Sequence, residues 1–260
     1  MFENPIKEKL KRGEPVLGAS CGVTDELANR LTINTGVDFL WIDTEHAPFG
    51  LEDVRMLPVL ARQKGCVPLI RVAGLDSSLI KKALDIGASA IMIPQINNAE
   101  EARRAVQYAK YPPQGSRGVS PLWTFFMDVP WDQYLPKAND EICIIAQIES
   151  QEGIASIEEI AAVDGIDILL AGPADLSAAL GVIGQFQHPA LQEFLAGFPE
   201  RVKKAGKAPG IALSSAKQAA QALDQGYQFV SFGSLLFNGV KGLTEDLAWL
   251  RGRAQGSASV

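Results

Sequence analysis

The sequence has only two histidines, His46 and His188, and three cysteines, Cys21, Cys66 and Cys143, among 260 residues. Two histidines exclude a three-histidine zinc site. Three cysteines without paired spacing argue against a disulfide framework and against a cysteine-based zinc centre. No apolar run reaches the roughly 18 residues that a membrane helix needs. The first stretch, MFENPIKEKLKRGEP, lacks the apolar core of a secretory signal, so the expected location is the cytoplasm with no membrane partner. Positive charge forms no stripe and the formal net charge is -6, so a nucleic-acid partner is not expected. No GxGxxG turn follows an early apolar run, which counts against an open doubly wound sheet that binds dinucleotides.

What is present is an ordinary globular balance, 47% hydrophobic and 21% charged. The length suits one α/β barrel or two small domains. Eight short apolar runs read as strands: 16–20, 39–43, 68–72, 90–95, 142–149, 167–172, 208–213 and 229–234. They are nearly continuous rather than alternating, the mark of strands covered on both faces in a parallel sheet. Helical patterns fall between them, several closed by glycine (Gly65, Gly87, Gly206, Gly226). Strands alternating with helices predict right-handed crossovers and a closed (β/α)8 TIM barrel, an α/β fold forming one domain over 1–260. The longest break, 112–138, holds five prolines, two tryptophans and the adjacent Phe125 and Phe126. Counted from strand four, it is expected near the active-site mouth, as a lid, a subunit contact or simple packing on the barrel.

In such a barrel the site lies at the C-terminal ends of the strands. The second strand runs into Asp43-Thr44-Glu45-His46, the third carries Arg71, the fifth Gln147 and Glu149, the sixth Gly172-Pro173-Ala174-Asp175, and the seventh ends at Leu213. Polar groups converging from several strands are hard to explain as core. Neighbouring strands lie about 4.8 Å apart, so Glu149 and Asp175 can share a cation; two oxygen ligands completed by water and substrate suit Mg2+ or Mn2+. The bland alternative is a helix N-cap for Asp175 and a solvated charge for Glu149. Gly172 and Pro173 force a turn whose amides at Ala174 and Asp175 are suited to a carboxylate, though an ordinary strand-to-loop turn reads the same way. Arg71 closes an apolar strand and needs an anionic partner, either a substrate oxygen or a structural carboxylate. His46 has the pKa range of a general base, and Asp43 and Glu45 beside it can orient the ring. His188 reads as surface loop.

Lysine is absent from all eight predicted strands, and Lys217 opens a helix. An aldol reaction through a lysine imine is therefore disfavoured, leaving metal-assisted chemistry.

The segments WIDTEHAP, PLIRV, IGASAIMIPQINNAEEARRAV, YPPQGSRGV, AQIES and GPADLS resemble the HpcH/HpaI aldolases, the metal-dependent pyruvate aldolases, over about residues 15–240. The resemblance implies reversible retro-aldol cleavage of a 4-hydroxy-2-oxo acid to pyruvate and an aldehyde through a metal-stabilised enolate. It implies Glu149 and Asp175 as ligands of a divalent cation (Mg2+ or Mn2+, with Co2+ or Zn2+ admitted) and His46 as base. Arg71 becomes the enolate-stabilising residue, and Gln147 and the Gly172-Pro173-Ala174-Asp175 turn, with Leu213, the 2-oxo-acid pocket. Asp85 matches a residue that raises the basicity of the histidine, and Asp43 joins the catalytic group. Asp85, however, ends the helix after strand three, about 15 Å from the mouth at 1.5 Å per residue. It is therefore expected to serve a neighbouring subunit, in keeping with a homohexamer built as a trimer of dimers. After RGV the chain departs from heptanedioate-type members with the bulky SPLWTFFMDVPWDQY, which leaves the aldehyde open. The competing readings are a citrate-lyase-like or malyl-CoA-like lyase and a non-catalytic 2-oxo-acid-binding protein. The first would need a basic CoA site, which the sequence does not offer. The second should have lost the base, yet His46 and Arg71 are both present.

Overall fold

The structure, a computed structural model, describes residues 3–256. Eight parallel strands close in chain order into one barrel: β1 (Val16–Cys21), β2 (Phe39–Asp43), β3 (Val67–Arg71), β4 (Ala90–Ile93), β5 (Cys143–Ile148), β6 (Ile168–Ala171), β7 (Ala208–Leu213) and β8 (Phe229–Ser234), with β8 paired to β1. Every strand lies within two residues of its predicted bounds.

The continuous apolar runs resolve into two cores. Alternate residues such as Phe39, Leu69, Ile145 and Phe229 fill the barrel, while Leu40, Ile42, Ile70 and Ile144 face the surrounding helices. Each such buried side chain contributes about 1.5–3 kcal/mol of transfer free energy. Inside the barrel Phe39 and Phe229 stack with centroids 4.2 Å apart. Gly18 makes this possible, because a Cβ there would overlap the Phe39 ring. At the N-terminal end the sequence hid a plug. Helix α1 (Pro5–Lys11) inserts the fully buried Ile6 beneath the strands, anchored by Asn4, whose side chain donates to the Ser89 carbonyl at 2.8 Å.

The helices mostly follow expectation: α2 (Glu26–Asn34), α4 (Ser77–Asp85), α5 (Ala99–Ala109), α10 (Pro189–Lys204) and α11 (Ala216–Asp224). Helix α3 (Leu57–Gln63) starts well after the end of β2, because Asp53 accepts the Gly50 amide at 2.8 Å and Pro58 sets the first turn. The helical stretch after β5 splits at Ser156 into α7 (Gln151–Ala155) and α8 (Ile157–Ala161).

The expectation for 112–138 is corrected. The segment follows α5, not β4 directly, so it joins a helix to the start of β5 on the N-terminal side of the barrel. None of its residues lines the cleft at the C-terminal mouth. It is also partly helical, with a 3-10 turn at Leu122–Phe126 and α6 (Trp131–Glu141). Trp123 is fully buried there, with the Arg62 guanidinium 3.9 Å above its ring and Tyr134 edge-on at 5.0 Å. Phe125 and Phe126 remain exposed.

The last helix, α12 (Leu235–Gly256), leaves much of its apolar surface in solvent, including Phe237, Val240, Leu243 and Trp249. No described helix is long and apolar enough to cross a membrane.

Candidate active site

The C-terminal mouth opens into a cleft of about 650 Å3. Asp43, His46, Arg71, Gln147, Gly172, Pro173, Ala174, Asp175 and Leu213 all line it. Residues separated by up to 170 positions thus converge because strand ends share one rim.

Asp43 and Arg71 face each other in the β2–β3 register. Arg71 donates from Nε to Asp43 Oδ1 at 2.9 Å and from Nη2 to Oδ2 at 2.5 Å. Its Nη1 lies 3.0 Å from Glu45 and 3.5 Å from the Gln147 carbonyl oxygen. Arg71 thus has the structural carboxylate partner that one reading of the sequence required, and it also borders the cleft. Burial pushes the Asp43 carboxyl up, but the hydrogen bonds and charge of Arg71 outweigh this, and it sits below the usual range. Asp43 also accepts the Glu45 amide at 3.1 Å, which shapes the turn that carries His46. Glu45 moves the other way, raised by burial against the pull of Arg71 and His46. Its Oε2 lies 3.6 Å from His46 Nε2, and the imidazole itself is 64% exposed and free to meet a ligand.

Glu149, just past β5, is buried beneath the rim. Its Oε1 accepts the Gln95 amide at 2.9 Å, and Oε2 accepts the Gln147 side-chain amide. Burial, then the charge of Asp175, lift its carboxyl to about 7. A desolvated Glu149 carboxyl pushed up further by Asp175, exposed at the rim, is a donor set that a hard divalent cation would relieve. The space above them is kept open by Gly172, where a Cβ would stand 2.8 Å from Glu149 Oε2 and 3.0 Å from Gln147 Nε2. Among the described residues no group of three or more His, Cys, Asp or Glu side chains gathers around a common point. The residues fit a cation held by two carboxylates and completed by water and substrate.

Asp175 is not an N-cap. Gly172 caps the short helix α9 (Pro173–Ala179), which the sequence reading took for a turn, and Asp175 lies in its first turn. The amides of Ala174 and Asp175 have no helical carbonyl four residues back to bond. They stand beside Asp175 at the rim, where a carboxylate would be welcome.

Asp85 does not join this group. It ends α4, largely buried, and pairs with Arg117 Nη2 at 2.7 Å. Burial raises its carboxyl, offset in part by Arg117. His188 caps α10 through Nδ1, which accepts the Ala190 amide at 3.3 Å, as a surface role predicts. Lys217 lies within α11 and is exposed.

Two features escaped the sequence. Gln95 holds Glu149 from a positive φ of 51°, which a glutamine adopts only under constraint. Trp41 and Ser231 also line the cleft, and their only sequence signal was an inward position in an otherwise apolar strand.

A closed (β/α)8 barrel with a carboxylate pair, an anchored arginine and an accessible histidine at its mouth is the framework of a carbon–carbon lyase. Residues 22–239 match the HpcH/HpaI aldolase/citrate lyase family, and the chain belongs to that family. It is 37% identical over 251 residues to the 4-hydroxy-2-oxo-heptane-1,7-dioate aldolase of Salmonella arizonae, covering 93% of this chain and 94% of that one. Among solved structures it resembles an HpcH/HpaI aldolase/citrate lyase family protein from Burkholderia cenocepacia J2315 (TM-score 0.88, 32% identity, 95% and 99% coverage). It also resembles the HpcH/HpaI aldolase of Desulfitobacterium hafniense DCB-2 (TM-score 0.83, 33% identity, 92% and 95% coverage).

Proposed function

We propose that this aldolase cleaves a 4-hydroxy-2-oxo acid to pyruvate and an aldehyde, reversibly, with a divalent cation held by Glu149 and Asp175. The observation that carries the proposal is the buried Glu149 and the rim-exposed Asp175 set beside a carboxylate-accepting turn, with an arginine and a histidine lining the same cleft as Asp175. Mg2+ or Mn2+ suits two hard oxygen donors, with Co2+ and Zn2+ as substitutes. When bound, the cation supplies a Lewis acid for the 2-oxo acid.

The chain's own residues do the rest. The amides of Ala174 and Asp175 receive the substrate carboxylate, and Leu213 packs against the carbon chain. Gln147 holds Glu149 and Arg71 in place at the same time. His46 takes the proton from the 4-hydroxyl, the C3–C4 bond breaks, the aldehyde leaves, and the electron pair moves toward the 2-oxo oxygen. Arg71 faces that growing negative charge, itself locked by Asp43. A proton returned to C3 gives pyruvate. A positioned base is worth about 10^2–10^4 in rate.

The same reading makes the active enzyme a homohexamer, a trimer of dimers, in which Asp85 supports the His46 of a neighbour. The exposed apolar face of α12 and the exposed Phe125 and Phe126 are surfaces for such contacts.

The test is pyruvate release from a 4-hydroxy-2-oxo acid, with and without EDTA, on wild type and Glu149→Ala. Release abolished by EDTA and by the substitution, with wild type restored by Mg2+ or Mn2+, supports the proposal. Release that ignores EDTA overturns the metal site.

A further inference from the structure

The N-terminal face of the barrel, opposite the cleft, carries a separate pocket of about 380 Å3. Active sites of this fold sit at the other end. Four lysines line the pocket: Lys7 and Lys11 from α1, Lys203 from the end of α10, and Lys207 from the approach to β7. Asp167 and Gln228, which lead into β6 and β8, are its remaining polar side chains. The lysines gather against the sign of the whole chain, whose formal net charge is -6. No stripe in the sequence announces them, because the two pairs meet only when the barrel closes.

The positive charge is poorly countered. Asp167 is the one carboxylate in the lining, and both its oxygens are taken. Its Oδ1 lies 3.1 Å from Lys7 Nζ, and Oδ2 accepts the Ile144 amide at 2.8 Å. Lys11 leans on Glu8 of its own helix at 2.8 Å. Lys203 and Lys207 form no ion pair among the described residues. Their heads are nevertheless held in place. The Lys207 ammonium donates to the Val163 carbonyl at 3.2 Å, and that of Lys203 sits over Gly226, where a Cβ would stand 3.1 Å from Nζ. An ammonium has three donors, so both keep donors to spare. The buried Lys110 feels the same field. Burial, then the charge of Lys7, push it below the ordinary lysine range, and Asp167 and Asp140 offset this only in part.

A cleft lined by one sign of charge concentrates small ions of the other sign. The donors also say which kind. An arginine fork matches a planar carboxylate, whereas lysines are point donors that can surround tetrahedral groups. This pocket has four lysines and no arginine.

We propose that the pocket binds a small, multiply charged anion of the diphosphate class between α1 and the start of β7. The anion joins Lys7 and Lys11 to Lys203 and Lys207. It thereby fastens α1, whose Ile6 plugs the barrel, to the strands above it. A ligand that binds only the folded chain stabilises it by mass action. The site takes no part in the aldolase reaction and stands or falls apart from it.

The experiment titrates inorganic diphosphate into the EDTA-treated protein by calorimetry, in about 0.1 M KCl to screen diffuse attraction. EDTA removes any cation that could draw diphosphate to Glu149 and Asp175. Saturable binding at one site per chain is expected, with a matching rise in thermal midpoint. Lys203→Gln and Lys207→Gln should each weaken it about tenfold or more, the scale of one lost charge-assisted hydrogen bond. Lys217→Gln, at the mouth end of the barrel, should bind as wild type does. In wild type, diphosphate should also shield Lys203 and Lys207, but not Lys217, from acetylation read by mass spectrometry. That measurement serves if a variant does not fold. The absence of saturable binding overturns the inference, as does binding of equal strength in all three variants. Tricarballylate, whose carboxylates are planar, should bind more weakly; binding as tight as that of diphosphate overturns the phosphate assignment.

Discussion

Asp43 and Arg71 stand opposite each other at the ends of β2 and β3, joined by two near-parallel hydrogen bonds of 2.9 and 2.5 Å. The guanidinium fork matches the carboxylate in a way no ammonium can, and the pairing leaves Nη1 turned toward Glu45 and Gln147. An arginine held on two sides cannot swing away from the cleft when charge develops there. Arg71→Lys keeps the charge and loses the fork. It should cost about 10^2–10^3 in kcat, read as pyruvate release. Arg71→Ala leaves Asp43 and Glu45 unpaired and should destabilise the fold by about 3 kcal/mol in urea unfolding. A lysine variant with wild-type kcat would remove Arg71 from the chemistry.

Glu149 makes the metal-free protein sensitive to pH. Its folded carboxyl stands at about 7 against an ordinary 4.5, raised by burial and by Asp175. A raised carboxyl favours the folded state fully below the unfolded pKa, and that advantage fades as pH climbs through the folded one. With EDTA present, stability should therefore fall between about pH 4.5 and 7, by an amount on the order of 3 kcal/mol. Glu149→Gln should flatten that slope and exceed wild type in urea midpoint at pH 8. Parallel slopes in the two proteins would contradict the assignment. Cation binding competes with the proton, so affinity for Mg2+ or Mn2+ should rise over the same window.

Gly172 leaves the space beside Glu149 that any side chain would take, with a Cβ only 2.8 Å from Oε2. Gly172→Ala should reduce Mn2+ affinity about 10–100-fold, the usual effect of disturbing a ligand's support. Calorimetric titration reads the affinity, and circular dichroism should show the barrel intact. Unchanged affinity would mean that the cation does not approach Glu149 from that side.

Asp85 and His46 offer a test of shared sites. His46→Ala and Asp85→Asn should each be nearly inactive alone. Dissociated, mixed in equal amounts and reassembled, they should recover about a quarter of wild-type activity, since random assortment places an intact His46 beside an intact Asp85 that often. No recovery on mixing would confine the site to one chain. Arg117→Ala, which removes the partner of Asp85 at 2.7 Å, should lower kcat and shift the pH profile while sparing KM.

The strands were legible because each is a short run covered on both faces, a pattern with little ambiguity once eight of them recur. Their ends pointed to the cleft: Asp43, Arg71, Gln147 and Gly172, polar or small residues at or near the ends of apolar strands, all line it. Helix α1 was missed because its one buried residue, Ile6, signals nothing without the barrel above it. The segment 112–138 was misplaced because composition marks a loop without saying which end of the barrel it meets; that follows from the α5 helix before it.

By itself the sequence determined the barrel, the family and the residues at the strand ends, because local hydrophobic pattern and motif order carry that information along the chain. Only the tertiary structure decided which groups touch. The fork between Arg71 and Asp43, the Gln95 amide on Glu149 and the Asp85–Arg117 pair on the barrel's flank are all contacts between residues distant in the chain. Their distances are set by strand register and barrel closure, which no local pattern encodes.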